Sequence, residues 1–407
     1  MPARRLILMT HTKAPKTNPK SMTTGKSTQV KAPQRIAIFV ATSGHSGVDR
    51  AMKLLIPSLA QRGYFVDVLK VRRHGPVLED IPERVSVIDL GSKHVYTCLP
   101  GLIRYLKKFK PDVMHAAKDR VNRTALAAVK ISGVNTRLIL GSGTTISVDL
   151  QHRGRFERWL QRTSMGKLYK YAEKTIVTCD DVADDMANYT GLDRNLIEHV
   201  ASPVLPDNTL ETHFEKPAHP WFDEGSPPVI ISVGELSKRK DFATLIKAFS
   251  IVRQSINCRL IILGKGKEKE NLQTLIDQLQ LEHDVSLPGF VDNPLAFMAH
   301  AKLFAFTSQW EGLGFVLIEA MAVGTPVVST LCPSGPREIL QDGKYGKLVP
   351  VGDIESMADA MLSTLKHCEW DKHTLQQAVR QYTVSEATNA HIQAFGLEQI
   401  DTLTESA

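Results

Sequence analysis

The chain has 407 residues, 43% hydrophobic and 23% charged, with a formal net charge of +7. That composition suits a globular protein of two domains with adequate cores. The five cysteines are scattered without a C-x-x-C pair, and no apolar run reaches the ~18 to 20 residues of a spanning helix, which argues against a disulfide framework, a cysteine metal cluster or a membrane span. Arg4 and Arg5 precede only a short apolar Leu6 to Met9, too brief for a signal-peptide core, so a cytoplasmic or membrane-surface protein is expected. Residues 1–34, rich in Thr, Lys, Ser and Pro, read as a disordered basic tail. Thr24 to Thr28 imitates the end of a P-loop, but Lys20 stands where the first glycine is required.

Residues 35–204 read as a first doubly wound α/β domain. Arg35 to Val40 is a buried strand, followed by the loop Ser43 to Gly47, a helix from about Val48 to Gln61 and a strand from Tyr64 to Leu69. This opening is Rossmann-like without G-x-G-x-x-G, so a dinucleotide site is disfavoured, and His45 reads as a solvated loop residue. Strands are expected at Val85 to Leu90, Val113 to His115 and Leu138 to Leu140, with Thr175 to Thr178 as the last of this half. His115 is expected at a strand C-terminus, where such sheets place their sites; a hydrogen-bonded structural histidine is the alternative. Gln151 to Lys174 alternates basic residues with Phe156, Trp159, Leu160, Leu168 and Tyr169, the pattern of an interfacial surface or of a solvated helix face.

Residues 205–228 are rich in Pro, Asp and Glu and read as a linker. Residues 229–381 form the second domain. It opens with the strand and turn Val229 to Gly234, and Asp241 is placed to cap a helix carrying Phe242, Leu245, Ile246 and Phe249 inward. Further on, Leu303 to Phe306 is a buried strand, Gly312 and Gly314 lie in a tight loop, Phe315 to Val323 is a helix ended by Gly324 and Pro326, and another strand follows. The loop therefore meets a helix N-terminus, whose free N–H groups and dipole favour a phosphate. Glu311 and Glu319 bracket it. Acids beside a phosphate fit a ligand that also donates hydroxyls, as a sugar nucleotide does.

Two glutamates separated by seven residues, followed by Ala-Met-Ala, Gly and Pro-Val-Val, resemble the signature of the retaining GT-B-fold glycosyltransferases of family 4, also called group 1. The resemblance spans about residues 35 to 370. It implies two Rossmann-like domains facing across a cleft, a C-terminal segment (382–407) crossing back to the first domain, and sugar transfer from a nucleoside-diphosphate sugar, a UDP-sugar above others, to a glycan or lipid-linked acceptor. Arg239 and Lys240 match the family's basic pair and would stabilise the leaving phosphate. Glu311 would take a donor-sugar hydroxyl and Glu319 the ribose. Gly47, Gly234, Val291, Gly312, Leu313, Gly314 and Phe315 would complete the donor site. His115, Ser142 and Gly143 fall on the acceptor side, and Gly143 stands where relatives carry a histidine. The resemblance implies no cofactor, and with no D-x-D motif the cations would replace a metal.

Residues 1–200 hold 33 basic and 17 acidic residues, and the remainder 17 and 26. With aromatics at 6% and no aromatic-basic interleaving of the RNA-binding kind, the basic half points to an anionic membrane surface rather than nucleic acid. Ile103 to Lys110 repeats the basic-apolar alternation. The competing readings are a non-catalytic sugar-nucleotide-binding subunit and a GT-B-fold epimerase.

Overall fold

The computed structural model describes residues 34–42, 46–72, 74–78, 80–151 and 153–400. The expected tail up to residue 33, with its P-loop-like stretch, and His45 lie outside these residues.

Alternating apolar strands and amphipathic helices give two parallel sheets. In the N-terminal lobe the strands are β1 (Arg35–Val40), β2 (Phe65–Lys70), β3 (Val85–Asp89), β4 (Val113–Ala117), β5 (Arg137–Ser142), β6 (Lys174–Val177) and β7 (Ile197–His199). Their order is β3-β2-β1-β4-β5-β6-β7. The C-terminal lobe holds β8 (Val229–Val233), β9 (Arg259–Leu263), β10 (Val285–Gly289), β11 (Leu303–Phe306), β12 (Val327–Thr330) and β13 (Lys347–Val349), ordered β10-β9-β8-β11-β12-β13. The central strands are buried along their length, as continuous apolar runs require when helices cover both faces. Each sheet reverses its winding once, between β1 and β4 and between β8 and β11. The loops leaving those four strands form the crevices where doubly wound sheets bind ligands.

Two sequence expectations need correction here. β6 is not the last strand of its lobe. β7 follows at the sheet edge, and its three residues, two of them the polar Glu198 and His199, carry no legible strand pattern. In the helix Leu99–Phe109 the alternation is not interfacial: Tyr105 and Leu106 are buried in the lobe core, and Arg104, Lys107 and Lys108 make the solvated face.

The helix Val384–Ala394 packs on the helix Gly47–Gln61 of the N-terminal lobe. The Thr388 and Ser58 hydroxyls lie 3.0 Å apart, and Arg137 donates to the Gly396 carbonyl at 2.8 Å.

Candidate functional site

The loop after β11 leads into the helix Phe315–Ala322, with Gly314 at its N-cap at φ 92°, a left-handed conformation that glycine adopts without strain. Glu311 on this loop is buried and held by three side chains. Lys240 Nζ donates to Oε1 at 2.7 Å, Arg239 approaches Oε2 at 2.6 Å, and Ser308 Oγ donates at 2.7 Å. Arg239 and Lys240 come from the turn Lys238–Lys240 after β8. Two bonds lock that turn to the β11 loop: Gln309 N–H to the Arg239 carbonyl at 2.8 Å, and the Thr307 hydroxyl to the Lys240 carbonyl at 2.9 Å. Burial alone would raise the Glu311 carboxyl. Lys240, Arg239 and the hydrogen bonds from Lys240 and Ser308 outweigh it and hold the group below the ordinary carboxylate value. Asp241 caps the helix Phe242–Ser255, accepting from Thr244 N–H at 3.3 Å and fixing where the basic turn ends.

The opposite wall is the start of the helix Gly47–Gln61. Ser46 and buried Asp49 form a reciprocal capping box, with Ser46 N–H donating to Asp49 at 2.8 Å. A Cβ built on Gly47 would lie 3.8 Å from Phe315 Cζ. Two helix N-termini, one from each lobe, thus converge on the same space. Arg50, in the first turn, pairs with Glu319 across the lobes, and its guanidinium carbon lies 5.5 Å from the centre of the Phe315 ring. Glu319 is 6% exposed. Burial raises its carboxyl above the ordinary value, with Arg50 pulling the other way.

The lobes touch closely at Gly312. A Cβ there would sit 2.3 Å from the Gly143 carbonyl oxygen, and the Thr178 hydroxyl donates to the Gly312 carbonyl at 3.2 Å. Thr145 and Ser334 hydroxyls meet at 2.8 Å, and the Asp180 N–H donates to Glu338 at 2.7 Å. His199 Nε2 lies 3.1 Å from the same Glu338. Asp180, His199 and Glu338 are close enough together to hold a metal ion, but they stand outside the cleft lining, and Arg194 already pairs with Asp180.

Between the lobes lies a cleft of about 690 Å³, onto which Gly47, His115, Ser142, Gly143, Arg239, Lys240, Glu311 and Gly312 to Phe315 all face. Three expected donor residues do not line it. Glu319 is buried and paired with Arg50, which itself lines the cleft. Gly234 lies under Lys240, where a Cβ would come 2.9 Å from Cε, so its lack of a side chain makes room for the lysine stem. Val291 follows β10 and is partly buried against the core of its own lobe. His115 is the third of five residues in β4, not its C-terminus. Burial, with His391 nearby, lowers its pKa to about 3, so the ring is neutral at physiological pH, and it lies 5.5 Å from the Phe395 ring. Nothing in the backbone demands glycine at 143, since an added Cβ would make only ordinary contacts at 3.6 Å with Thr178 and 4.0 Å with Val48. Sequence reasoning missed Arg50, Ser334 and Glu338. The Ser-x-x-Asp capping signature at Ser46 to Asp49 would have placed Arg50 in a first helical turn.

A second cavity of about 900 Å³ in the N-terminal lobe shares Ser142, Gly143 and Thr144 with the cleft. Lys93, Lys118 and Arg120 on its wall form no ion pair with a described residue, whereas Asp119 pairs with Arg123 and Glu157 with Arg153. Its outer wall is the helix Arg155–Leu168, which exposes Phe156, Trp159 and Leu160. Tyr169 does not join that surface, contrary to the sequence expectation: it is 2% exposed, donating to Asp119 and accepting from Asn122, each at 3.1 Å.

Two family profiles match this chain, "Glycosyltransferase Family 4" over residues 45–207 and "Glycosyl transferases group 1" over residues 216–381. A Campylobacter jejuni protein, N-acetylgalactosamine-N,N'-diacetylbacillosaminyl-diphospho-undecaprenol 4-alpha-N-acetylgalactosaminyltransferase, is 29% identical over 355 residues, covering 82% of this chain and 90% of its own. Among solved structures, the lipopolysaccharide outer core galactosyltransferase WaaB in its apo form superposes with a TM-score of 0.70 at 17% identity, over 89% of this chain and 99% of that one. Anabaena HepE in complex with UDP does so with a TM-score of 0.70 at 16% identity, over 89% and 100%. These two share the fold.

Proposed function

Since the chain belongs to the group 1 (family 4) glycosyltransferases of GT-B fold, we propose that it moves a sugar from a UDP-sugar to a hydroxyl of a lipid-linked or polysaccharide acceptor in cell-surface glycan synthesis, with retention at the anomeric carbon. The observation that carries this is the convergence of two helix N-termini on a space that Arg239 and Lys240 also face. Such a site favours a diphosphate. In the transfer, the bond from the anomeric carbon to the β-phosphate oxygen breaks, and a bond to the acceptor oxygen forms. The acceptor proton passes to the departing phosphate. Charge grows on that phosphate, and Arg239 and Lys240 stabilise it more in the transition state than in the ground state. Glu311 holds both cations and offers the sugar a hydrogen-bond acceptor. Bound in this way, it is poorly placed to act as a general base, which favours retention over inversion.

UDP as carrier draws support from the HepE complex, and a lipid-linked acceptor from the undecaprenol-linked substrate in the Campylobacter protein's name. The second cavity adjoins the cleft and carries Lys93, Lys118 and Arg120 on its wall, a lining suited to an anionic acceptor, and the helix that walls it also exposes Phe156 and Trp159 on its outer side. Among the described residues no helix is long and apolar enough to cross a membrane. Peripheral docking of the basic lobe on the inner face of the cytoplasmic membrane would serve such an acceptor. The test is a panel of UDP-, GDP- and ADP-sugars with a polyprenyl-diphosphate-linked saccharide, the anomeric configuration of the product being read by NMR. Hydrolysis or epimerisation without transfer to any acceptor would reject the reading.

A further inference from the structure

The ion pair between Arg50 and Glu319 joins residues 269 apart in sequence and on opposite lobes. Arg50 lines the cleft and Glu319, buried and paired with it, does not, so a ribose could reach this carboxylate only if the guanidinium moved aside. Arg50 can move. Its backbone is held by the capping box, with its N–H on the Ser46 carbonyl at 3.0 Å, while its side chain is 50% exposed. Its guanidinium also lies beside Phe315, the first residue of the helix whose N-terminus would receive the phosphates.

Building on the reading that the cleft takes a nucleoside-diphosphate sugar, we propose that Arg50 is an exchangeable donor-binding residue that yields Glu319 to the ribose and pairs instead with the diphosphate. A planar guanidinium can grip a phosphate through two parallel hydrogen bonds, a better match than it makes with one carboxylate oxygen. Arg50 and Glu319 come from different lobes. The exchange therefore links donor arrival to the cleft's geometry: ribose and diphosphate replace a direct interlobe bond with one that runs through the donor. With Arg50 transferred, Arg239, Lys240 and Arg50 all face the phosphates.

The test is calorimetric binding of uridine and UDP to the wild type, Arg50→Ala and Arg50→Lys, with the corresponding guanine or adenine ligands if the wild type prefers another base. Arg50→Ala should weaken UDP by about 10- to 100-fold, the range for losing a charge-assisted pair. Uridine affinity should hold or tighten, because the competitor for Glu319 is gone. Arg50→Lys should fall between, keeping the charge without the fork. A purely structural Arg50 would weaken uridine and UDP in parallel, and that result, or unchanged UDP binding, overturns the proposal. A wild type that binds no nucleoside diphosphate would instead overturn the reading of the cleft, and this proposal with it. Lysine preserves charge and size, so it keeps the test decisive if the alanine variant folds poorly.

Discussion

Replacing Gly312 with alanine should slow turnover while leaving the protein folded. The new Cβ would lie 2.3 Å from the Gly143 carbonyl oxygen. Carbon–oxygen contacts of this kind normally sit at about 3.3 to 3.6 Å, so loop or lobe must give by roughly 1 Å. The loop cannot easily yield, because neighbouring Glu311 is pinned by Lys240, Arg239 and Ser308, and the Glu311 carbonyl accepts from the Ser334 hydroxyl at 2.6 Å. The displacement therefore falls on the lobe-to-lobe approach, and the Thr178 bond to the Gly312 carbonyl is lost with it. A misplacement near 1 Å can cost on the order of 100-fold in rate. Neither lobe's core is touched, so the melting temperature should barely change. Initial-rate kinetics with the preferred donor, beside a thermal melt, measure both quantities. A variant with wild-type kcat would refute the claim that this glycine sets the approach of the two lobes. Gly143→Ala, whose Cβ meets only ordinary contacts, should have a much smaller effect than Gly312→Ala.

Glu311→Gln leaves Lys240 buried without its counter-charge and should destabilise the C-terminal lobe by up to about 3 to 5 kcal/mol, less where partly exposed Arg239 relaxes into water; urea denaturation reads the loss. Because the folded-state carboxyl is held below its ordinary value of 4.5, its contribution is fully present above that value and fades as pH falls through the lower folded one, so wild type and variant should converge in stability in acid. Glu319→Ala should weaken donor binding by about 1 to 3 kcal/mol through lost ribose hydrogen bonds, and an unchanged Kd would remove Glu319 from the donor site. Transfer should survive excess EDTA, since Arg239 and Lys240 supply the positive charge at the phosphates; complete loss restored by magnesium would reject that assignment. The protein should float with anionic vesicles at low salt, release at high salt, and lose binding when Arg155, Arg158 and Arg162 become Glu, whereas indifference of the wild type to anionic lipid would leave the basic lobe to a soluble anionic acceptor.

The sequence by itself determined the local units. Apolar runs marked β1, β4, β8 and β11, the Asp241 cap placed its helix, and the stretch from Leu303 to Gly324 disclosed a strand, loop and helix with Glu311 and Glu319 on either side of an anion seat. Periodicity and capping are short-range signals, legible within one or two turns of chain. Tertiary structure decided what those units face. It alone set Arg50 on Glu319, Gly312 under the Gly143 carbonyl, and Glu311 on Arg239 and Lys240, because each contact joins segments whose separation in space depends on the winding of a sheet or the meeting of two lobes. It also sorted look-alike patterns: Ile103 to Lys110 and Arg155 to Leu168 both alternate basic and apolar residues, yet the first buries Tyr105 and Leu106 while the second leaves Phe156 and Trp159 in solvent. Alternation records only that a helix has two faces; which of them meets a core is settled by the neighbours the fold supplies.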